Sequence, residues 1–267
     1  MNLTFTLATT DKNGETLPNP GVEYIQWPES YPIDCEAFMK DNSGKYVKYL
    51  WDPNSYINIM VYNFTTEPNS NSVTLGISHI PFSTTGKHYL EGLGETDYSH
   101  LTLANLQFPL SVSINSLYIN EESTPTEYST ADIAVTLAHE LGHYLGLHHV
   151  FAETDNGTCE DTDYCKDTKS YNKQEYDSKC DYIYENEREK YTFKNLVKRT
   201  GCDGIEFISY NIMDYAISYS NQFTQNQRER IRHVLSYSPL IPGPKKGDID
   251  TRALNERPLD LPIRTIK

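Results

Sequence analysis

A short histidine-rich segment constrains this chain more than any other feature, and it reads H-E-x-x-H-x-x-G-x-x-H from His139 to His149. His139 and His143 have the spacing that places two side chains on one face of a helix, where both imidazoles could bind the same metal ion. Gly146 lets the chain leave the helix in a left-handed conformation, which can bring His149 back as a third ligand. Three protein ligands and one open position are typical of catalytic zinc, whereas structural zinc usually has four protein ligands.

The residue after the first histidine completes a catalytic pattern. Glu140 is placed to deprotonate a zinc-bound water. A buried helix that carries histidines by chance is the simpler alternative, but the glycine and the third histidine both fall at the offsets that the long motif requires. His148 could compete with His149 as a ligand, and the spacing favours His149. The sequence therefore predicts a zinc site formed by His139, His143 and His149, with Glu140 as the general base.

Three further motifs follow the zinc motif: D-x-x-x-D-T at 163–168, N-x-M-D-Y at 211–215 and F-T-x-x-Q at 223–227. In combination with the histidines, they resemble the metzincin clan of zinc endopeptidases and, within it, the pappalysin family. Weaker similarities between Phe5 and Phe82 extend the resemblance to roughly residues 1–237. It is most specific over 139–149.

The resemblance implies an α/β (α+β) metzincin-like fold, in which a twisted mixed β-sheet packs against an active-site helix and a backing helix. An N-terminal subdomain of residues 1–149 would hold the sheet and the zinc-binding helix. An irregular C-terminal subdomain of residues 150–239 would carry an acidic and cysteine-rich loop, the methionine turn (Met-turn) and a final helix. Residues 240–267, in which prolines and charges dominate, are expected to form an extended tail.

The resemblance also implies roles around the cleft. Met213 would form an apolar floor beneath the zinc without binding it, although plain core packing is physically similar. Tyr215 would contact the metal or donate its hydroxyl to the oxyanion, with a purely structural tyrosine as the alternative. The alternating segment 110–118 would form the upper rim of the cleft, where an extended substrate could pair with it, unless it is an ordinary strand of the sheet.

Hydrophobic periodicity predicts most of the other elements. Alternating apolar and polar residues predict strands, at 2–8, 22–27, 56–64 and 73–80. A leucine and isoleucine stripe at every fourth position, after a capping signature that ends at Asp132, predicts a helix over 130–146. Within an insertion at 169–200, the segment 191–199 is predicted to form a short amphipathic helix. A final helix is predicted at 224–235.

The loop after the zinc motif is rich in acidic residues, which are Glu153, Asp155, Glu160, Asp161, Asp163 and Asp167. Calcium prefers six to eight oxygen ligands, and the resemblance implies a structural calcium in this region. Asp163 and Asp167 are the candidate calcium ligands. The spacing is not that of an EF-hand, and a solvated acidic loop is an equal alternative.

Four of the five cysteines, Cys159, Cys165, Cys180 and Cys202, lie between the zinc motif and the Met-turn, and Cys35 lies far upstream. In a secreted protein these four cysteines would form two disulfides, with three possible pairings, and Cys35 would be left over. Five reduced thiols in a cytosolic protein are the alternative. The resemblance favours an extracellular or cell-surface location, and we expect an export signal, a propeptide or a lipid anchor to precede residue 1.

Charge and hydropathy narrow the function classes. The formal net charge of −14 argues against nucleic-acid binding, which requires a basic surface. No apolar run is long enough to form a transmembrane segment. The sequence therefore predicts a zinc-dependent endopeptidase that hydrolyses peptide bonds in proteins or peptides through a metal-activated water. A zinc-binding but catalytically idle surface module is one alternative, and a zinc hydrolase with non-protein substrates is another.

Overall fold

The computed structural model describes residues 3–66, 73–153, 158–215 and 217–246, and the backbone of residues 263–266. The strands are β1 (Ile59–Tyr62), β2 (Gly76–His79), β3 (Phe82–Thr84), β4 (Gly94–Thr96), β5 (Val112–Asn115), β6 (Lys198–Thr200), β7 (Glu206–Ile208) and β8 (Ile263–Ile266). The α-helices are α1 (Cys35–Met39), α2 (Ile133–Tyr144), α3 (Lys173–Asn186), α4 (Phe193–Leu196) and α5 (Gln225–Tyr237). None of these helices has the length and apolarity that a membrane crossing would require.

The main sheet is mixed, as the resemblance implied, and its strand order is β1-β5-β2-β8. β1 pairs with β5 in parallel, whereas β2 is antiparallel to both β5 and β8. The prediction that residues 110–118 form the rim of the cleft is wrong, because β5 has a partner strand on each side. The alternation of Leu110, Val112 and Ile114 could not reveal this position, since all four residues of β5 are buried on both faces of the sheet.

Helices cover both faces of this sheet. On one face, α2 packs against β2 and β5, and its Tyr144 joins Val112 and Ile114 in the larger hydrophobic core. On the opposite face, α1 is the backing helix, and it buries Phe38 and Met39 against Ile77. Burial of these apolar side chains holds the active-site helix in a fixed position on the sheet.

The active-site helix has distinct signals at its two ends. The side chain of Asp132 accepts hydrogen bonds from the backbone N–H groups of Ala134 and Val135, so α2 begins at Ile133 rather than at the predicted residue 130. After the helix, Gly146 adopts a φ of +93°. A Cβ atom at Gly146 would also lie 2.7 Å from Cγ2 of Val234 in α5, so the position requires glycine for two reasons.

Several predicted elements outside the site differ from the structure. Residues 3–8 and 22–27 form no strand, and residue 2 lies outside the described part of the chain. The insertion contains a long helix, α3, that the sequence did not reveal. Residues 191–199 divide into the short helix α4 and the beginning of β6. The final helix α5 is confirmed, and Thr224 caps it together with Gln227.

The cysteines form one disulfide rather than two within the described residues. Cys159 is bonded to Cys202, which closes the loop between the zinc motif and the Met-turn. Cys35, Cys165 and Cys180 are free thiols. The prediction of a second bond, which would have to join Cys165 and Cys180, is therefore not met: Cys165 is buried in the loop before α3, and Cys180 is a half-buried residue of α3.

Candidate active site

The three histidines of the sequence motif converge on one point. His139 and His143 project from α2, and the turn at Gly146 brings His149 back to them. Their Nε2 atoms are 3.0 Å apart for His139 and His143, 3.1 Å for His143 and His149, and 3.2 Å for His139 and His149. Among the described residues, these three are the only group of metal-binding side chains close enough to share an ion, and His148 does not belong to it.

Each imidazole is oriented by a second contact through its other nitrogen. Nδ1 of His139 lies 2.7 Å from the carbonyl oxygen of Ile212, and Nδ1 of His143 lies 2.9 Å from that of Leu147. Nδ1 of His149 contacts the carboxylate of Glu153. A carbonyl or carboxylate accepts a hydrogen bond, so each ring must carry its proton on Nδ1 and leave Nε2 as a lone pair. The three lone pairs therefore face the same point.

A zinc ion fits this arrangement. Tetrahedral zinc binds imidazole nitrogen at about 2.0–2.1 Å, which places two such nitrogens about 3.3 Å apart. The observed Nε2 separations are within a few tenths of an ångström of that value. Burial lowers the pKa of His139 to about 4 and that of His143 well below its usual range, so both rings are neutral ligands. Three neutral lone pairs that face one point at such short distances suit a bound cation.

Glu140 lies beside this group with an unused carboxylate. The side chain is fully buried, and neither oxygen has a hydrogen-bond partner in the described part of the chain. Burial raises the pKa of the Glu140 carboxyl well above its usual range. A buried carboxylate without a hydrogen-bond partner costs free energy and therefore needs an explanation. A water molecule at the zinc would supply the missing partner.

The strand β2 approaches this carboxylate directly. A Cβ atom at Gly76 would lie 2.6 Å from Cγ and 2.8 Å from Oε1 of Glu140. Only glycine therefore allows the backbone of β2 to pass so close to the carboxylate. This contact could not be predicted from a single sequence, because Gly76 and Glu140 are far apart in the chain.

The Met-turn lies directly under α2. Met213 is fully buried, and its Sδ would be 2.4 Å from a Cβ atom at Gly142. The preceding residue, Ile212, supplies the carbonyl that orients His139. The ring of Tyr215 lies beside the histidines, with its centroid 4.7 Å from that of His149. The structure thus places Met213 against the active-site helix and the ring of Tyr215 beside those of His139 and His149.

A buried polar network fixes the Met-turn from below. Oδ1 of Asp214 accepts hydrogen bonds from the hydroxyl of Tyr171 at 2.5 Å and from the backbone N–H of Tyr215 at 2.8 Å. Oδ2 accepts from the hydroxyl of Ser209 and lies 3.4 Å from the guanidinium of Arg199. Arg199 belongs to the insertion, so the insertion contributes directly to the position of the Met-turn.

The two calcium candidates are not brought into a metal-binding group. Oδ1 of Asp163 accepts the backbone N–H of Cys165, and Oδ2 of Asp167 accepts that of Asn226 at the start of α5. Asp163 thus stabilises its own turn and Asp167 the N-terminus of α5, and the structure gives calcium no support. Asp155 lies outside the described residues. Sequence reasoning included Glu153 only as one of the acidic residues of this loop, and its position four residues after His149 was the available signal for its actual contact.

Comparison with known proteins identifies the family. Residues 41–236 match the family model of M43 peptidases, described as pregnancy-associated plasma protein-A. Extracellular metalloproteases of Arthroderma benhamiae and Arthroderma otae are 37% and 38% identical over 97 residues, which cover 36% of this chain and 29% of each relative. The chain therefore matches less than a third of the length of these relatives.

Solved structures of mirolysin share the fold. In complex with a compound, mirolysin matches at a TM-score of 0.51 and 22% identity, over 88% of this chain and 71% of that one. Mature mirolysin of Tannerella forsythia, in complex with a cleaved peptide, matches at a TM-score of 0.48 and 21% identity, over 86% and 70%. Since the family model covers well over half of the chain, this protein belongs to the M43 family of metallopeptidases, the pappalysins.

Proposed function

We propose that this protein is an extracellular, zinc-dependent endopeptidase that hydrolyses peptide bonds in proteins or peptides. The observation that carries the proposal is the convergence of three Nε2 lone pairs beside the unpartnered carboxylate of Glu140. This combination suits hydrolysis, because it offers a metal site with an open position and a base next to it. The names of the curated relatives and the disulfide between Cys159 and Cys202 support an extracellular location.

His139, His143 and His149 would hold the zinc. When bound, zinc acts as a Lewis acid that lowers the pKa of water to about 7 and polarises the scissile carbonyl. Glu140 accepts the proton of the attacking water and then donates it to the leaving amine. The raised pKa of the Glu140 carboxyl suits a group that must both accept and release a proton. Tyr215, whose ring lies beside that of His149, would donate its hydroxyl to the oxyanion.

Zinc content tests the ligand assignment. We expect wild type to bind about one zinc per chain and to cleave a quenched-peptide library, with cleavage lost on chelation and restored by zinc. His149→Gln removes a proposed ligand and should lose the metal, whereas His148→Gln, the same change one residue earlier, should retain it. Metal content is measured by elemental analysis and folding by thermal unfolding.

The outcomes of this experiment are distinct. Zinc without cleavage of any peptide would favour the idle binding module, and cleavage of small esters alone would favour a non-protein substrate. Loss of zinc in His148→Gln but not in His149→Gln would overturn the ligand assignment. Absence of zinc from folded wild type would overturn the proposal.

A substitution at Gly76 tests the position of the general base. Gly76→Ala places a methyl group where Glu140 now lies, so the carboxylate must move. Because displacement of a catalytic group by about 1 Å costs about 10²-fold in rate, we expect a fall in kcat of that order. Gly94→Ala is the matched control, since a Cβ atom there would meet Phe82 at an ordinary 3.5 Å. Equal kcat values for the two variants would contradict the assigned geometry.

A further inference from the structure

The edge of β2 that faces away from β5 is covered by another part of the same chain. β8 pairs with β2 in antiparallel orientation, and the register runs from His79 opposite Ile263 to Gly76 opposite Ile266. β5 pairs with the other edge of β2. Within the part of the chain that the structure describes, β8 is thus the outermost strand of the sheet on the side of the active site.

This edge leads directly to the catalytic centre. Gly76 is the residue of β2 that approaches the Glu140 carboxylate, and α2 packs against the same strand. In the register of β8, residue 266 lies opposite Gly76. The backbone of residues 263–266 therefore runs along β2 up to the strand position next to the proposed general base.

An endopeptidase must hold its substrate in an extended conformation beside the base. Addition of a strand to an exposed sheet edge is a common way to bind an extended peptide, because the backbone N–H and C=O groups of the edge provide the affinity. One edge can pair with only one strand at a time. A substrate that pairs with β2 next to Glu140 would need the groups that β8 already uses.

We propose that segment 263–266 occupies the substrate-binding edge of β2 and competes with polypeptide substrates for it. This inference rests on the proposed endopeptidase function. The segment belongs to the same chain, so its effective concentration at the edge can reach about the millimolar range, at the upper end of typical KM values. A substrate then binds only to the fraction of molecules in which β8 has left, and its apparent KM rises in proportion.

The test weakens the pairing and leaves the rest of the full chain intact. Alternate residues of a strand direct their N–H groups to the partner strand, so the double variant Arg264→Pro/Thr265→Pro removes one such donor whatever the phase of the ladder. The matched control is Arg264→Ala/Thr265→Ala, which changes the same side chains but keeps both N–H groups. Hydrogen exchange at the amides of Gly76 and Ser78 in zinc-free protein reports the pairing without any need for activity, because these residues alternate with His79, whose N–H donates to Ser111 on the β5 side.

If segment 263–266 covers the edge, the proline variant should exchange these amides about tenfold faster than the alanine control. Its KM for a quenched peptide should fall by about tenfold with kcat unchanged. A synthetic peptide of residues 258–267 should then inhibit the proline variant competitively.

The other possible results distinguish failure of the strand competition from failure of the proposed endopeptidase function. Equal exchange at Gly76 and Ser78 in the proline variant and the alanine control of an active enzyme would overturn the inference and leave the proposed function standing. Faster exchange with unchanged KM would overturn the competition. Faster exchange without cleavage by any variant would support the strand pairing and overturn the proposed function.

Discussion

Replacement of Glu140 by glutamine is expected to abolish peptide cleavage while zinc stays bound and the fold remains intact. Glutamine has the shape of glutamate but cannot accept the proton of the attacking water. Because general-base catalysis contributes about 10²- to 10⁴-fold, we expect kcat/KM for a quenched peptide to fall by that factor. The three histidines are unchanged in this variant, so zinc content should equal that of wild type.

The control for this prediction is the same chemical change on the surface. Glu122 is exposed, and Glu122→Gln should leave both kcat/KM and zinc content at wild-type values. Glu140→Gln should also not destabilise the fold, since the variant removes a buried carboxylate without hydrogen-bond partners. Full cleavage by folded, zinc-loaded Glu140→Gln would exclude Glu140 as the base and direct the search to another side chain at the metal.

The convergence of the three histidines could be predicted from the sequence because its main parts are local. His139, Glu140 and His143 are fixed by helical spacing, and Gly146 provides the turn that returns His149. The contacts that orient these rings were harder to predict from the sequence. Two of them are backbone carbonyls, at Ile212 and Leu147, and no side-chain pattern marks a carbonyl.

Contacts between distant segments were not predictable. The approach of Gly76 to Glu140 depends on the order of the strands in the sheet, and a single sequence does not specify that order. The same limit explains the wrong assignment of residues 110–118 to the rim. Alternation identifies a strand, but it does not show whether that strand has one partner strand or two. An edge strand and an inner strand give the same pattern when helices cover both faces of the sheet.

Helix prediction failed where apolar side chains were sparse or misleading. α3 has one buried residue, Ile183, so the helix has no apolar stripe that a periodicity search could detect. The segment around Phe193 and Leu196 has a helix-like apolar spacing, but the chain enters β6 at Lys198 and pairs with β7 instead. Tertiary pairing therefore overrode the local pattern.

The second large effect is expected on stability, from the buried ion pair between Arg199 and Asp214 beneath the Met-turn. We expect Asp214→Asn to lower the free energy of unfolding by about 3–5 kcal/mol, because it leaves the Arg199 guanidinium buried without its counter-charge. Both side chains are fully buried. Burial lowers the pKa of Arg199, but the Asp214 carboxylate together with the hydroxyls of Tyr171 and Tyr176 raises it by more, so the guanidinium stays charged. Chemical denaturation measures the loss.

A double-mutant cycle separates this interaction from simple loss of packing. In Arg199→Met/Asp214→Asn neither charge remains, so the double variant should be more stable than the sum of the single effects by about 1–3 kcal/mol. Glu36→Gln, which breaks the exposed pair with Lys40, should change stability by less than about 0.5 kcal/mol. Asp214→Asn should also lower kcat, since Asp214 holds the backbone of Tyr215 beside His149. A loss of stability no greater than that of Glu36→Gln would show that the insertion does not fix the Met-turn through this pair.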